Sequence, residues 1–202
     1  MLDERSSKIR KENVGYSRDV KLTQKIYAKL DKRASESITG KGKGLIRKSL
    51  LSDANQLTSE EIDILKVPHE IALRYDNKAK LVKVIQGDEQ QVTIPRTAEG
   101  DTVSHNHPGG LGPSSRDLLV VLTNSMHELR IVSNQEGINV LYRLIAKSKI
   151  TKKDAKRVSD FYVDSMRDKY GVLKDSSIQR DEALDLTLEA FSDMFFASKQ
   201  SF

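Results

Sequence analysis

The stretch "SHNHPGGLGPSSRD", residues 104–117, places two of the four histidines two positions apart, ahead of a loop rich in glycine and proline. Successive side chains of a β-strand point to opposite faces, so His105 and His107 are expected on one face, close enough to bind one ion. After the loop, Ser114 fits the N-cap of a helix and Asp117 its third residue, which is the capping-box pattern. The sequence therefore predicts a strand end and a helix start that meet, with two imidazoles and one carboxylate side by side.

This ligand set has a definite chemistry. Two imidazoles and one carboxylate, with no fourth protein ligand, are typical of a catalytic zinc site whose last position is open to water. Thiolate ligands are excluded because the chain contains no cysteine. Zinc lowers the pKa of water towards about 7 and polarises carbonyl groups, so amide hydrolysis is the expected reaction. An H-x-H pair or a capping box alone is more often structural, but their combination favours a metal site.

Alternating apolar and polar residues surround the motif and are separated by turn signals such as "DNK", "QGD" and "NQEG". This pattern predicts short strands with one helix after the motif, and hence an α/β (α+β) domain over residues 57–147 that opens with a short helix in "LTSEEIDILKV". The predicted strands are 69–75, 80–86, 90–94, 101–107, 128–134 and 138–144, and the helix after the motif spans 114–127.

The two ends of the chain have helical periodicity and no decodable motif. Residues 1–56 form a predicted basic helical extension with 14 Lys and Arg against 7 Asp and Glu, interrupted by a glycine-rich loop or hinge at 39–44. Such a basic segment is a candidate contact for nucleic acid or an acidic protein surface, the alternative being a solvated helical face. Residues 148–202 form a predicted C-terminal helical extension, with helices at 151–170 and 181–198.

The string "HNHPGGLGPSSRD" resembles the signature of the JAMM (JAB1/MPN/Mov34) metalloprotease superfamily, in which an upstream glutamate precedes H-x-H and S-x-x-D. It is most similar to the bacterial RadC-like branch and to JAB-type domains of phage and toxin-associated proteins. The resemblance covers about residues 66–147 and implies a JAMM/MPN-like, cytidine deaminase-like fold with a central mixed sheet. One departure is the six-residue interval between His107 and Ser114, which is one residue shorter than the usual family spacing.

The resemblance also implies roles for individual residues. His105, His107 and Asp117 would bind Zn²⁺, and Ser114 would donate a hydrogen bond to the oxyanion. Glu70, which opens "EIALRYD", is the expected general base, and the alternatives for that role are the glutamates at positions 89 and 99. The two remaining histidines, at positions 69 and 127, are expected to be surface or packing residues.

The expected function is a zinc-dependent hydrolase that cleaves a peptide or isopeptide bond, with a ubiquitin-like or other protein tag as a candidate substrate and a phage or mobile element as a candidate setting. One alternative is a catalytically idle JAMM-like domain that binds protein or nucleic acid. Another is a metallo-hydrolase acting on a different amide or on a phosphodiester. The start "MLDERSSKIRKE" has no apolar signal region and no apolar run approaches the roughly 20 residues of a membrane span, so a cytoplasmic location is expected.

Overall fold

The computed structural model describes residues 3–39, 55–148, 150–170 and 176–202. The glycine-rich loop predicted at 39–44 lies outside this range except for Thr39. The helices are α1 Asp3–Thr39, α2 Ser59–Ile64, α3 Ser115–Thr123, α4 Lys152–Tyr170 and α5 Ser177–Ala190. The strands are β1 Ile71–Tyr75, β2 Leu81–Gln86, β3 Thr102–His107, β4 Glu128–Gln135, β5 Ile138–Ala146 and β6 Phe195–Ser201.

The six strands form one mixed sheet in the order β2-β1-β3-β4-β5-β6. Strands β3 and β4 are parallel, and every other neighbouring pair is antiparallel. Strand β3, which carries the two histidines of the motif, lies between β1 and β4, and all six of its residues are buried. The predicted α+β class with a mixed sheet is confirmed.

Helices cover both faces of the sheet. Helices α1 and α2 pack on one face, where Ile26 and Leu30 join a core with residues of β1 and β2. Helices α3, α4 and α5 pack on the other face, where Leu118, Tyr162 and Leu184 join a larger core. Among the helices of the described ranges, none is both long and apolar enough to cross a membrane.

A buried ion pair ties α2 to the sheet. Arg130 of β4 donates to both carboxylate oxygens of Glu61, at 2.6 and 3.1 Å, and Ser104 of β3 donates to the same carboxylate at 2.8 Å. Burial alone would raise the pKa of Glu61, but the guanidinium of Arg130 outweighs it and holds that pKa below its ordinary value. The carboxylate is therefore ionised and anchors α2 against β3 and β4.

Three helices begin with the same capping box. Thr58, Ser114 and Ser176 are the N-caps of α2, α3 and α5. The side chain of each accepts from the backbone amide of the residue three positions later, whose side chain accepts from the backbone amide of the N-cap. These bonds satisfy amide groups that the first turn of a helix leaves without partners. The predicted roles of Ser114 as N-cap and Asp117 as third helical residue are confirmed.

The strand predicted at 90–94 does not form. Asp88 accepts hydrogen bonds from the amides of Gln90 and Gln91 on one carboxylate oxygen, and its own amide donates to the carbonyl of Gln91. These local bonds close a turn that occupies the amide groups a strand would need for its neighbour. The segment instead lies beside the candidate site, where Gln91 and Val92 line the same cleft as Glu70.

The helix predicted at 181–198 is wrong at both ends. Helix α5 begins four residues earlier because Ser176 and Gln179 form its capping box, and it ends at Ala190. Strand β6 then follows, with Phe195 and Ala197 buried and Phe196 exposed, so the period changes from helical to two. The predicted C-terminal helical segment thus also supplies an edge strand, paired antiparallel with β5.

Candidate metal centre

The two motif histidines lie on the face of β3 that is turned towards α3. Strand pairing on both sides fixes this backbone, with His105 opposite Ala72 of β1 and opposite Ile131 of β4. The period of the strand brings the side chains of His105 and His107 together, with their Nε2 atoms 3.0 Å apart. Both side chains are buried, so the two imidazoles form a pre-organised pair.

The N-terminus of α3 places Asp117 against this pair. Its Oδ1 atom lies 3.2 Å from Nε2 of His105, and its Oδ2 atom lies 3.5 Å from Nε2 of His107. Oδ2 also accepts hydrogen bonds from the amide of Ser114 at 2.7 Å and from its hydroxyl at 2.6 Å. Oδ1 thus remains the oxygen best placed to bind a cation.

The distances from His105 Nε2 to His107 Nε2 and to Asp117 Oδ1 fit the ligand spacing of a tetrahedral ion. The bonds from zinc to nitrogen and to carboxylate oxygen are about 2.0–2.1 Å long. At a tetrahedral angle, two such ligand atoms lie about 3.3 Å apart. The distances from the His105 nitrogen to the His107 nitrogen and to Asp117 are 3.0 and 3.2 Å. The residues predicted as zinc ligands therefore converge, and their donor types suit Zn²⁺ better than a hard cation that prefers oxygen alone.

Backbone carbonyls orient the second histidine. Nδ1 of His107 lies 3.2 Å from the carbonyl oxygen of Leu111 and 3.1 Å from that of Gly112, so Nδ1 carries the proton and donates it, which leaves the Nε2 lone pair for a metal. Arg180 of α5 donates to the same Gly112 oxygen at 2.8 Å. Among the described residues, Nδ1 of His105 has no hydrogen-bond partner, so packing and its Nε2 contacts hold that ring.

Burial and the carboxylates shift the pKa values of these groups in different directions. Burial lowers the pKa of His107 to about 4, so this imidazole is neutral near pH 7. Burial also opposes protonation of His105, but Asp117 and then Glu70 outweigh it and raise the pKa of His105. Burial acts to raise the pKa of Asp117, yet the His105 side chain reverses this effect and the carboxyl stays ionised.

Glu70 completes the cluster. It precedes β1 directly, and its carboxylate lies within 4.8 Å of ligand atoms of both histidines. Burial raises its pKa, an effect that the charge of Asp117 strengthens and that of His105 opposes. A buried carboxylate beside a metal-ligand group, with a pKa above its ordinary value, is suited to accept and return a proton.

A cleft of about 490 Å³ opens over the cluster. Besides the predicted residues, its walls include Gln91 and two basic residues that the sequence reasoning missed, Arg116 of α3 and Arg180 of α5. Arg116 donates to the side chain of Gln91 at 2.6 Å, so it links α3 to the turn opposite. No local sequence signal marks Arg180, which lies 68 residues from the loop that it contacts.

The structure also separates the other candidates. Glu89 lies in the cleft wall and is exposed, whereas Glu99 lies at a different pocket together with His127. His69 is partly buried, and its Nδ1 lies 3.3 Å from the hydroxyl oxygen of Thr23 on α1. Of the three glutamates considered as the base, Glu70 is the one whose carboxylate lies within 4.8 Å of ligand atoms of both His105 and His107.

Comparison with known proteins adds no relative to this picture. No protein-family model matches the chain, and neither the curated proteins nor the solved structures contain a match. The geometry of the site therefore carries the functional interpretation.

Proposed function

We propose that this protein is a zinc-dependent hydrolase of the JAMM type that cleaves a peptide or isopeptide bond. The observation that carries the proposal is the convergence of His105 Nε2, His107 Nε2 and Asp117 Oδ1 beside the carboxylate of Glu70. The mixed sheet with helices on both faces, together with the motif resemblance, supports a JAMM/MPN-like fold as part of the same proposal. When bound, the cation supplies a Lewis acid for the substrate carbonyl and lowers the pKa of water.

Glu70 acts as the general base and then as the general acid. It accepts a proton from the attacking water and returns that proton to the leaving amine. Burial raises the pKa of the Glu70 carboxyl above its ordinary value, which makes its carboxylate a stronger base towards the water proton. The leaving group departs as a neutral amine because Glu70 delivers the proton to its nitrogen.

Ser114 stabilises the oxyanion that forms during attack. Its hydroxyl donates to Asp117 in the present structure, and rotation about χ1 would direct the same proton into the cleft, whose wall includes Ser114. Asp117 would keep the hydrogen bond from the backbone amide of Ser114 during this rotation. A positioned donor of this kind lowers the barrier by about 3–4 kcal/mol in acyl-transfer enzymes.

The dimensions of the cleft favour an extended segment as substrate. A volume of about 490 Å³ accommodates a few residues rather than a folded domain. A peptide, or the flexible tail through which a protein tag is conjugated, meets this requirement. The basic side chains of Arg116 and Arg180 line the same cleft and would attract acidic groups near the scissile bond.

Zinc content and turnover, measured together, test the proposal. The purified protein is loaded with Zn²⁺, analysed for bound metal, and assayed on quenched-fluorescence peptides and on an isopeptide-linked lysine substrate. Glu70→Gln should retain one zinc per chain and lose at least 100-fold in kcat. Glu89→Gln is the matched control, because it removes a carboxylate from the same cleft wall, and it should retain near wild-type kcat.

Three results would contradict the proposal. If the protein bound no zinc at micromolar free metal, the site would not be a zinc centre. If Glu70→Gln turned over substrate as fast as the wild type, Glu70 would not be the general base. A zinc-loaded protein that hydrolyses none of these substrates would instead favour the idle binding domain.

A further inference from the structure

Asn106 lies between the two histidines in sequence but on the opposite face of β3. Its side chain is buried, with 1% exposure. A buried amide is costly unless its polar atoms are hydrogen-bonded, so its partners show what it does. None of these partners belongs to the group of candidate metal ligands.

The amide of Asn106 holds the backbone on either side of Glu70. Its Oδ1 atom accepts a hydrogen bond from the amide of Ile71 at 2.7 Å. Its Nδ2 atom donates to the carbonyl oxygen of His69 at 3.0 Å. One side chain therefore fixes both residues that flank Glu70.

These bonds continue the sheet beyond its regular ladder. The residue pairing between β1 and β3 ends at Ala72 and His105, so Glu70 lies outside it. On the β2 side, the backbone of Glu70 is already fixed by its amide, which donates to Asp88 at 2.7 Å, and by its carbonyl, which accepts from Gly87 at 2.8 Å. On the β3 side, the side chain of Asn106 takes the place of the missing backbone bonds.

We propose that Asn106 is a positioning residue for Glu70, which sets the distance between the general base and the histidine pair. The inference rests on the proposed function. Because Asn106 follows His105 and precedes His107, the strand that carries the metal ligands also holds the base. Its effect should be on the chemical step, since a misplacement of about 1 Å in a reacting group can cost about 100-fold in rate.

The test uses Asn106→Leu, which keeps the approximate volume and removes both polar atoms. Ser104→Ala is the matched control: Ser104 is buried on the same face of β3, two residues earlier, and its hydroxyl contacts Glu61 rather than residues 69–71. Asn106→Leu should lower kcat by about 30- to 100-fold with KM and the zinc dissociation constant within threefold of the wild-type values. Ser104→Ala should leave all three values within threefold.

A second readout is independent of turnover. Amide hydrogen exchange measured by NMR on the zinc-free protein should show that Ile71 loses protection in Asn106→Leu, while Leu73 keeps it. Asn106→Asp retains the acceptor for the Ile71 amide and loses the donor to His69. The Ile71 amide should therefore be protected as in the wild type, while kcat should lie between the values of Asn106→Leu and the wild type. If Asn106→Leu does not fold, Asn106→Ser provides the same comparison.

The outcomes separate the two proposals. Unchanged protection of Ile71, unchanged kcat, or a loss of zinc affinity parallel to the loss of kcat would each overturn the role of Asn106. A wild-type protein that binds no zinc or hydrolyses nothing would overturn the proposed function, whatever the exchange data show.

Discussion

Replacement of Ser114 by alanine should separate helix capping from support of the metal site, because Ser114 does both. Its hydroxyl accepts from the amide of Asp117 at 3.2 Å and donates to Oδ2 of Asp117 at 2.6 Å. Ser114→Ala removes these two bonds and keeps the bond from the backbone amide of Ser114 to Oδ2. The loss of the cap should lower the free energy of unfolding by about 1 kcal/mol.

The second effect is on zinc affinity. Removing a hydrogen-bond donor that orients a metal ligand weakens binding by about 10- to 100-fold, which corresponds to about 1.4–2.7 kcal/mol. Ser176→Ala is the matched control, because Ser176 caps α5 with the same capping box and its partner Gln179 is no predicted ligand. It should lose a similar free energy of unfolding and leave the zinc dissociation constant within threefold.

Urea denaturation of the zinc-free proteins gives the stability change, and competition with a fluorescent zinc chelator gives the dissociation constants. If Ser114→Ala and Ser176→Ala bind zinc equally well, the Ser114 hydroxyl is not needed to orient Asp117 for metal binding. If Ser114→Ala shows no loss of stability relative to the wild type, the capping argument fails instead.

Three further predictions follow from the burial and pKa shifts. Arg130→Leu should lower the free energy of unfolding at pH 7 by about 3–5 kcal/mol, because it leaves Glu61 charged and buried. Because the folded-state pKa of Glu61 is lowered, the ion pair stabilises the fold above the unfolded-state pKa near 4.3, and this stabilisation is lost as the pH falls through the folded-state pKa. Urea titrations should therefore show a smaller stability difference between wild type and Arg130→Leu at low pH. Zinc affinity should fall about tenfold per pH unit below the raised pKa of His105, since the protonated ring binds no metal, and calorimetry in buffers of different ionisation enthalpy should detect the released proton. Phe195→Ala should cost about 3–5 kcal/mol in urea denaturation, because the Phe195 side chain is fully buried in β6.

Local patterns were sufficient to predict the central part of the site. The period of two in "HNH" and the spacing between Ser114 and Asp117 each fix a local geometry, and β3 and α3 have those geometries in the structure. The strand predicted at 69–75 from "EIALRYD" forms from Ile71 to Tyr75, so Glu70 directly precedes it. These features depend on neighbours within a few residues, which is why the sequence alone could predict them.

The parts that sequence reasoning missed depend on distant contacts or on a competing local bond. Arg180 reaches the cleft only because α5 packs beside the loop at Gly112. Residues 90–94 have the alternating pattern of a strand, but the amides of Gln90 and Gln91 donate hydrogen bonds to the carboxylate of Asp88 instead of to a neighbouring strand. Leu184, Phe191 and Phe195 share a helical spacing, yet Phe195 pairs with Ala146 in the sheet. The three-residue spacing of Ser176 and Gln179 is a local signal for the start of α5, because it matches a capping box.

Strand β3 shows why a two-residue period matters for this site. Its odd-numbered residues His105 and His107 face α3 and Asp117. Its even-numbered residues lie on the other face, where Ser104 hydrogen-bonds Glu61 and Asn106 hydrogen-bonds the amide of Ile71. A shift of one residue in the pairing of β3 would exchange these two sets and would bury the histidines among α1 and α2. The pairing of β3 with β1 and β4 therefore decides whether both histidines face the cleft, because it sets which alternate residues of β3 point towards α3.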